Sequence, residues 1–115
     1  MEIYDPMTAA YIEALYFTET GDLDQPAADA ELTDSSIHAA LSACHRFRLA
    51  CAGHGGIDLS QYSPDQLGHD LWLTRNGHGA GFWDRPEIYG EENARIFTLM
   101  AKTLGEDYPE FMPEV

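Results

Sequence analysis

The chain has 115 residues, twenty acidic against six basic side chains, a net charge of −14 and an apolar share of 44%. A chain of this length buries roughly two-thirds of its extended surface on folding, and that apolar share supports a real core, so residues 1–115 read as one acidic domain. Direct binding to nucleic acid or to an anionic membrane is excluded by repulsion, because phosphate neutralisation needs basic side chains; the balance instead suits a basic protein partner.

The charge is uneven: Met1 to His45 holds nine acids and no Lys or Arg. No apolar run approaches the ~18 residues of a membrane span, and the N-terminal Met1-Glu2-Ile3-Tyr4-Asp5 has neither a basic nor an apolar leader segment. Cys44 and Cys51 fall seven apart on one expected helix, about 10.5 Å along its axis, too far to bridge. A cytoplasmic protein with inert, buried thiols is the expectation.

In chain order, Asp5-Pro6 starts a helix by capping and by proline at the first position, and the helix runs to about Thr18. Met7, Tyr11, Ile12, Leu15 and Tyr16 form its apolar stripe, and Gly21 closes it. Asp22 to Glu31 is acidic and aperiodic, hence a loop. A second helix from Thr33-Asp34 carries Ile37, Ala40, Leu41, Cys44, Phe47 and Cys51 on one face and ends at Gly53, Gly55 and Gly56. Ser63-Pro64-Asp65-Gln66 has the form of a capping box and predicts one short turn before Gly68.

From Asp70 to Arg85 the spacing predicts a β-hairpin: two strands, 70–75 and 80–85, joined by Asn76-Gly77-His78-Gly79. A four-residue loop sets Trp72 against Trp83, Asp70 against Arg85 and Leu73 against Phe82; a two-residue Asn-Gly turn sets Leu71 against Phe82 and Trp72 against Gly81. The first register matches more partners, and the second remains open. A last helix from about Glu91 to Leu104 turns Ile96, Leu99, Met100, Thr103 and Leu104 inward. The proline-containing tail is irregular, apart from a possible third strand. The expected fold class is therefore α+β: three main helices packed on a small antiparallel hairpin or sheet at about 70–85.

The string Gly68-His69-Asp70-Leu71-Trp72-Leu73-Thr74-Arg75-Asn76-Gly77-His78-Gly79-Ala80-Gly81-Phe82-Trp83-Asp84-Arg85 resembles the signature of a family of small acidic proteins of unassigned function carried by phages, prophages and plasmids. Leu71 takes a position that is aromatic in that pattern. The likeness extends to Ala10–Leu15, to Cys44–Phe47 and to Lys102–Gly105, whereas Glu106–Val115 departs from the family's aspartate- and glycine-rich ending. The resemblance implies a mobile-element setting in a bacterial host and no particular reaction.

Three functions compete. The first is a non-enzymatic protein that binds a basic host or phage partner as a DNA mimic, inhibiting a restriction, CRISPR or other nucleic-acid-binding system. Its field comes from Glu13, Glu19, Asp22, Asp24, Asp29 and Glu31, with Arg75, His78 and Trp83 as further contacts. The net charge exceeds the about 2–8 units that solubility asks of a small domain. The second is an accessory factor that recognises a protein or small ligand through a Gly77–Arg85 hairpin. The third is a metal-dependent or acid–base enzyme using His69, Asp70, His78 and Asp84, which are suitable ligand and proton-transfer types. In the hairpin, His69 and His78 stand about 20 Å apart along a strand, which disfavours a shared ion. No cofactor, metal or catalytic residue is expected.

Overall fold

The computed structural model describes residues 4–54 and 57–113. Met1 to Ile3, on which part of the missing-leader expectation rests, and the helix-ending Gly55 and Gly56 lie outside the described residues. The main helices are α1 (Pro6–Glu19), α2 (Asp34–Gly53), α3 (Pro64–Arg75), the single turn α4 (Pro86–Tyr89) and α5 (Glu91–Thr103), with short 3-10 turns at Leu59–Gln61 and Phe82–Asp84. No described helix is long and apolar enough to cross a membrane.

Local chemistry explains the ends of three helices as expected. The Asp5 carboxylate accepts from the Thr8 amide at 3.0 Å, Thr33 Oγ1 accepts from the Ser36 amide at 3.3 Å, and Glu91 and Glu92 occupy the positive end of α5. Burial raises the Asp5 carboxyl, but hydrogen bonds from Arg48 and from the Thr8 hydroxyl and amide outweigh it and bring its pKa down to about 2.

The α+β expectation is overturned: the described residues form no sheet and no hairpin. Residues 70–75 are the second half of α3, and 80–85 are loop and 3-10 turn. Among the described residues, β pairing is confined to an isolated antiparallel bridge between Leu32 and Phe111, which ties the loop after α1 to the tail. The physical reason is that the Ser63 cap starts a helix that Gly68 does not stop. Leu67, Leu71 and Thr74 then recur at helical spacing and are all buried, as are Gly68 and Trp72.

Glycine costs a helix about 1 kcal/mol in propensity, but here its missing side chain lets α1 and α3 touch. A Cβ on Gly68 would collide with the Met7 carbonyl oxygen and lie 2.8 Å from the Tyr11 nitrogen and 2.9 Å from Ala10 Cβ. Gly68→Ala is therefore expected to destabilise by about 1–3 kcal/mol in chemical denaturation, despite alanine's better helix propensity, because it pushes against backbone.

Asn76-Gly77, read as a hairpin turn, is instead the end of α3. Gly77 adopts φ 68°, the Asn76 amide donates to the Trp72 carbonyl at 3.3 Å, and the His78 amide donates to the Leu73 carbonyl at 3.2 Å. These bonds, with glycine in the left-handed conformation, satisfy carbonyls that the last turn would leave open. Neither hairpin register survives. Trp72 is fully buried with its indole N–H on Thr18 Oγ1 at 2.8 Å, whereas Trp83 is 53% exposed.

The core lies where α1, α2, α3 and α5 meet. Tyr11 meets Trp72 edge-on at 5.5 Å, and Phe47, Phe82, Tyr89, Tyr62 and Phe97 form an aromatic cluster with Phe97 in contact with the other four. The inward face of α5 differs from the expectation: Ala94, Ile96, Phe97 and Ala101 are buried, while Leu99 is 54% exposed and Thr103 faces solvent.

Candidate functional site

On α1, Glu13 and Phe17 stand four residues apart, as do Ala14 and Thr18; on α3, so do His69 and Leu73. Side chains at that spacing share one helix face. The close crossing at Gly68 brings those two faces side by side, and the chain leaving α3 through Gly77 returns with His78 and Ala80. Together these residues line a groove of about 510 Å³.

Its floor is apolar (Ala14, Leu73, Ala80) and Phe17, 87% exposed, stands at its edge. Both its imidazoles pair with carboxylates: His69 Nε2 with Glu13 Oε1, also in the lining, at 3.4 Å, and His78 Nε2 with Glu19 Oε2, outside the lining, at 3.8 Å. These are ion pairs when the imidazole is protonated. The His78 ring also lies over the buried Trp72, with centroids 6.0 Å apart.

Of the residues expected to contact a partner, Glu13, Glu19 and His78 thus come together. Asp22 and Asp24 are exposed on the turn that follows, and this turn is fastened to α1 by Gln25 Nε2 donating to the Thr18 carbonyl at 2.8 Å. Asp29 and Glu31 are exposed farther along the same connection, where Tyr16 Oη donates to the Ala30 carbonyl at 2.8 Å.

Arg75 and Trp83 lie elsewhere. The Arg75 side chain is only 7% exposed: Nε donates to the Gly105 carbonyl at 2.9 Å, one terminal nitrogen to Tyr11 Oη at 2.9 Å, the other to the Leu104 carbonyl at 3.2 Å, and Asp107 is 3.7 Å away. It staples the end of α3 to the chain after α5. Trp83 lines a separate shallow groove with Pro86, Arg95 and Leu99.

Of the residues suited to acid–base chemistry, His69 and His78 share the groove, whereas Asp70 and Asp84 do not line it. Asp70 follows His69 but points about 100° away around the helix. It is fully buried and accepts from Arg85 Nε at 2.8 Å, Tyr89 Oη at 2.6 Å and Gln66 Nε2 at 2.9 Å. The Asp70–Arg85 pairing expected across a hairpin is therefore present, but it joins a helix to the turn beside it. Burial, and then the bond to Asp70, push the Tyr89 phenol well above its ordinary pKa. Asp84 accepts from the Gly81 amide at 3.0 Å.

Among the described residues no three His, Cys, Asp or Glu side chains gather as a metal-binding group. Cys44 and Cys51 are free and buried, and burial pushes both thiols up to about 11, so they are protonated and poorly nucleophilic near neutrality.

Sequence reasoning missed Phe17, Leu73, Ala80 and Ala14 as groove residues. A signal for one of them was present: Phe17 lies off the stripe of Met7, Tyr11 and Leu15, and four residues beyond the exposed Glu13. An aromatic on a helix's solvent face is a common interface anchor. Compared with known proteins, the chain matches no family model, no curated protein and no solved structure.

Proposed function

We propose that this chain is a non-enzymatic protein of a mobile element, acting in the bacterial cytoplasm by binding a basic protein partner and occupying the partner's nucleic-acid surface as a DNA mimic. The observation that carries this reading is the way the fold sorts its charges. Three of the six basic side chains, Arg48, Arg75 and Arg85, are engaged by Asp5, Asp107 and Asp70 within the molecule. Only Arg46, Arg95 and Lys102 remain exposed among solvent-facing carboxylates. The field met by an approaching protein is therefore nearly all negative.

Shape supports the same reading. The molecule measures 49 × 27 × 22 Å, and its net charge of −14 amounts to one per about 3.5 Å of the long axis, against about 3.4 Å for one nucleic-acid strand. A rod of that charge density steers toward a basic groove much as a single strand does. The Gly68–Arg85 resemblance supports the mobile-element setting and, through it, a host defence or nucleic-acid-binding complex as the target. An enzyme built on His69, Asp70, His78 and Asp84 finds less support: only His69 and His78 share a groove, while Asp70 is enclosed by Arg85, Tyr89 and Gln66 and Asp84 is held by the Gly81 amide.

The test is capture of partners from host and infected-cell lysate across a salt series, with duplex DNA as competitor. Binding should fall at least tenfold between about 50 and 200 mM salt, in the range expected when several charges are neutralised at an interface. DNA should displace it. A variant carrying Glu19→Gln, Asp22→Asn, Asp24→Asn, Asp29→Asn and Glu31→Gln should lose it even at low salt. Salt-insensitive capture that survives neutralisation would refute the proposal.

A further inference from the structure

We infer that the groove between α1 and α3 receives the apolar anchor of a basic amphipathic segment of the partner, most simply one face of a Lys/Arg-rich helix; this rests on the binding role proposed above and specifies where it is exercised. The field alone needs no apolar surface, yet Phe17 is 87% exposed and Leu23, on the turn fastened to the same helix end, is 100% exposed. Both stand among carboxylates: Glu13 lines the groove, Glu19 pairs with the groove residue His78, and Asp22 and Asp24 lie on either side of Leu23.

An apolar floor inside an acidic rim selects a ligand of the complementary pattern, with apolar side chains facing in and cations at the edges. This is the helix-in-groove mode, in which a groove of about 510 Å³ takes the apolar anchors of one helix face and leaves the rest of the helix outside. The same charge rejects the other occupants. A second copy would bring another −14 against the first, and phosphate-bearing lipid or nucleic acid would be repelled likewise.

The two imidazoles are positioned to give way. Glu13–His69 and Glu19–His78 are long and partly exposed, at 3.4 and 3.8 Å, and such pairs contribute little. A partner Lys or Arg takes the place of each histidine beside its carboxylate while a neighbouring Leu or Phe covers Phe17 and Leu73.

Two labelled synthetic peptides separate the field from the groove: a short amphipathic Lys/Leu helix and an oligolysine of equal length and charge. The wild-type protein should bind the amphipathic peptide at least tenfold more tightly. Phe17→Ser, at an exposed position that leaves the fold intact by circular dichroism, should remove that advantage without changing oligolysine affinity. Phe17→Leu should restore it in large part. Trp83→Ser, on the separate groove, should alter neither peptide. Equal affinities for the two peptides, or an advantage that survives Phe17→Ser, would overturn the groove while leaving the field standing. If neither peptide bound at low salt, the acidic binding role would fall together with it.

Discussion

Asp70→Ala should cost about 3–5 kcal/mol of folding stability, because it removes the shared acceptor of three hydrogen bonds to a charged group, each worth about 1.5–3 kcal/mol. Asp70 is fully buried, and its two carboxylate oxygens serve Arg85 at 2.8 Å, Tyr89 at 2.6 Å and Gln66 at 2.9 Å. Deletion leaves a phenol inside the protein without its acceptor and a guanidinium without its counter-charge. It also unfastens α3 from the turn that leads into α4. For a domain of about 100 residues each 1 kcal/mol moves the melting temperature by about 4–8 °C, so a fall of more than about 10 °C is expected. Arg85→Ala should cost less, since Arg85 is partly exposed and its loss leaves the carboxylate with Tyr89 and Gln66. Asp70→Asn, measured in a double-mutant cycle with Arg85→Ala, would separate the charge from the hydrogen bonds. A loss below about 1 kcal/mol for Asp70→Ala would mean that this network does not hold the helix.

Phe97→Ala should be similarly severe, at about 3–5 kcal/mol for truncating a buried aromatic. Phe97 is fully buried and contacts Phe47, Tyr62, Phe82 and Tyr89, with centroids 5.3 to 5.7 Å away. Those four rings come from α2, the segment before α3, the turn after it, and α4. No single one can relax into the cavity without moving its own element. Leu99→Ala, two residues away, should change stability by no more than about 0.5 kcal/mol, because Leu99 is 54% exposed. Urea or guanidinium unfolding of the two variants checks the contrast, and comparable losses would place the inward face of α5 wrongly.

That contrast marks a limit of reading one helix by its apolar residues. Ile96, Phe97, Leu99, Met100 and Leu104 offer more than one stripe, and the choice depends on which stripe meets the Phe47 and Phe82 rings. The neighbouring elements decide it, and they are absent from local periodicity. The Gly68–Arg85 string shows the same limit more sharply. Asp70-Leu71-Trp72-Leu73-Thr74-Arg75 suits a strand by alternation and a helix by the spacing of Leu67, Leu71 and Thr74. Asn76-Gly77 serves a hairpin turn or a helix end equally well, since both use glycine at positive φ. Gly68 tips the balance, and it favours the helix only because α1 lies against it.

Several features were determined by sequence alone. They include the cap at Asp5, the helix starts at Asp5-Pro6 and Thr33-Asp34, the acidic stretch from Glu13 to Glu31 and the two enclosed thiols. Each depends on local hydrogen bonding, helical periodicity or net charge, and these act within a few residues or over the whole molecule regardless of topology. Tertiary structure alone decided that α3 continues through Gly68, that Arg75 is locked beneath the end of α5 and that Phe97 occupies the centre of the core. It also decided that Phe17, His69 and His78 share a groove. Such features depend on which helix faces meet and how closely, and that is set by packing between residues far apart in the chain.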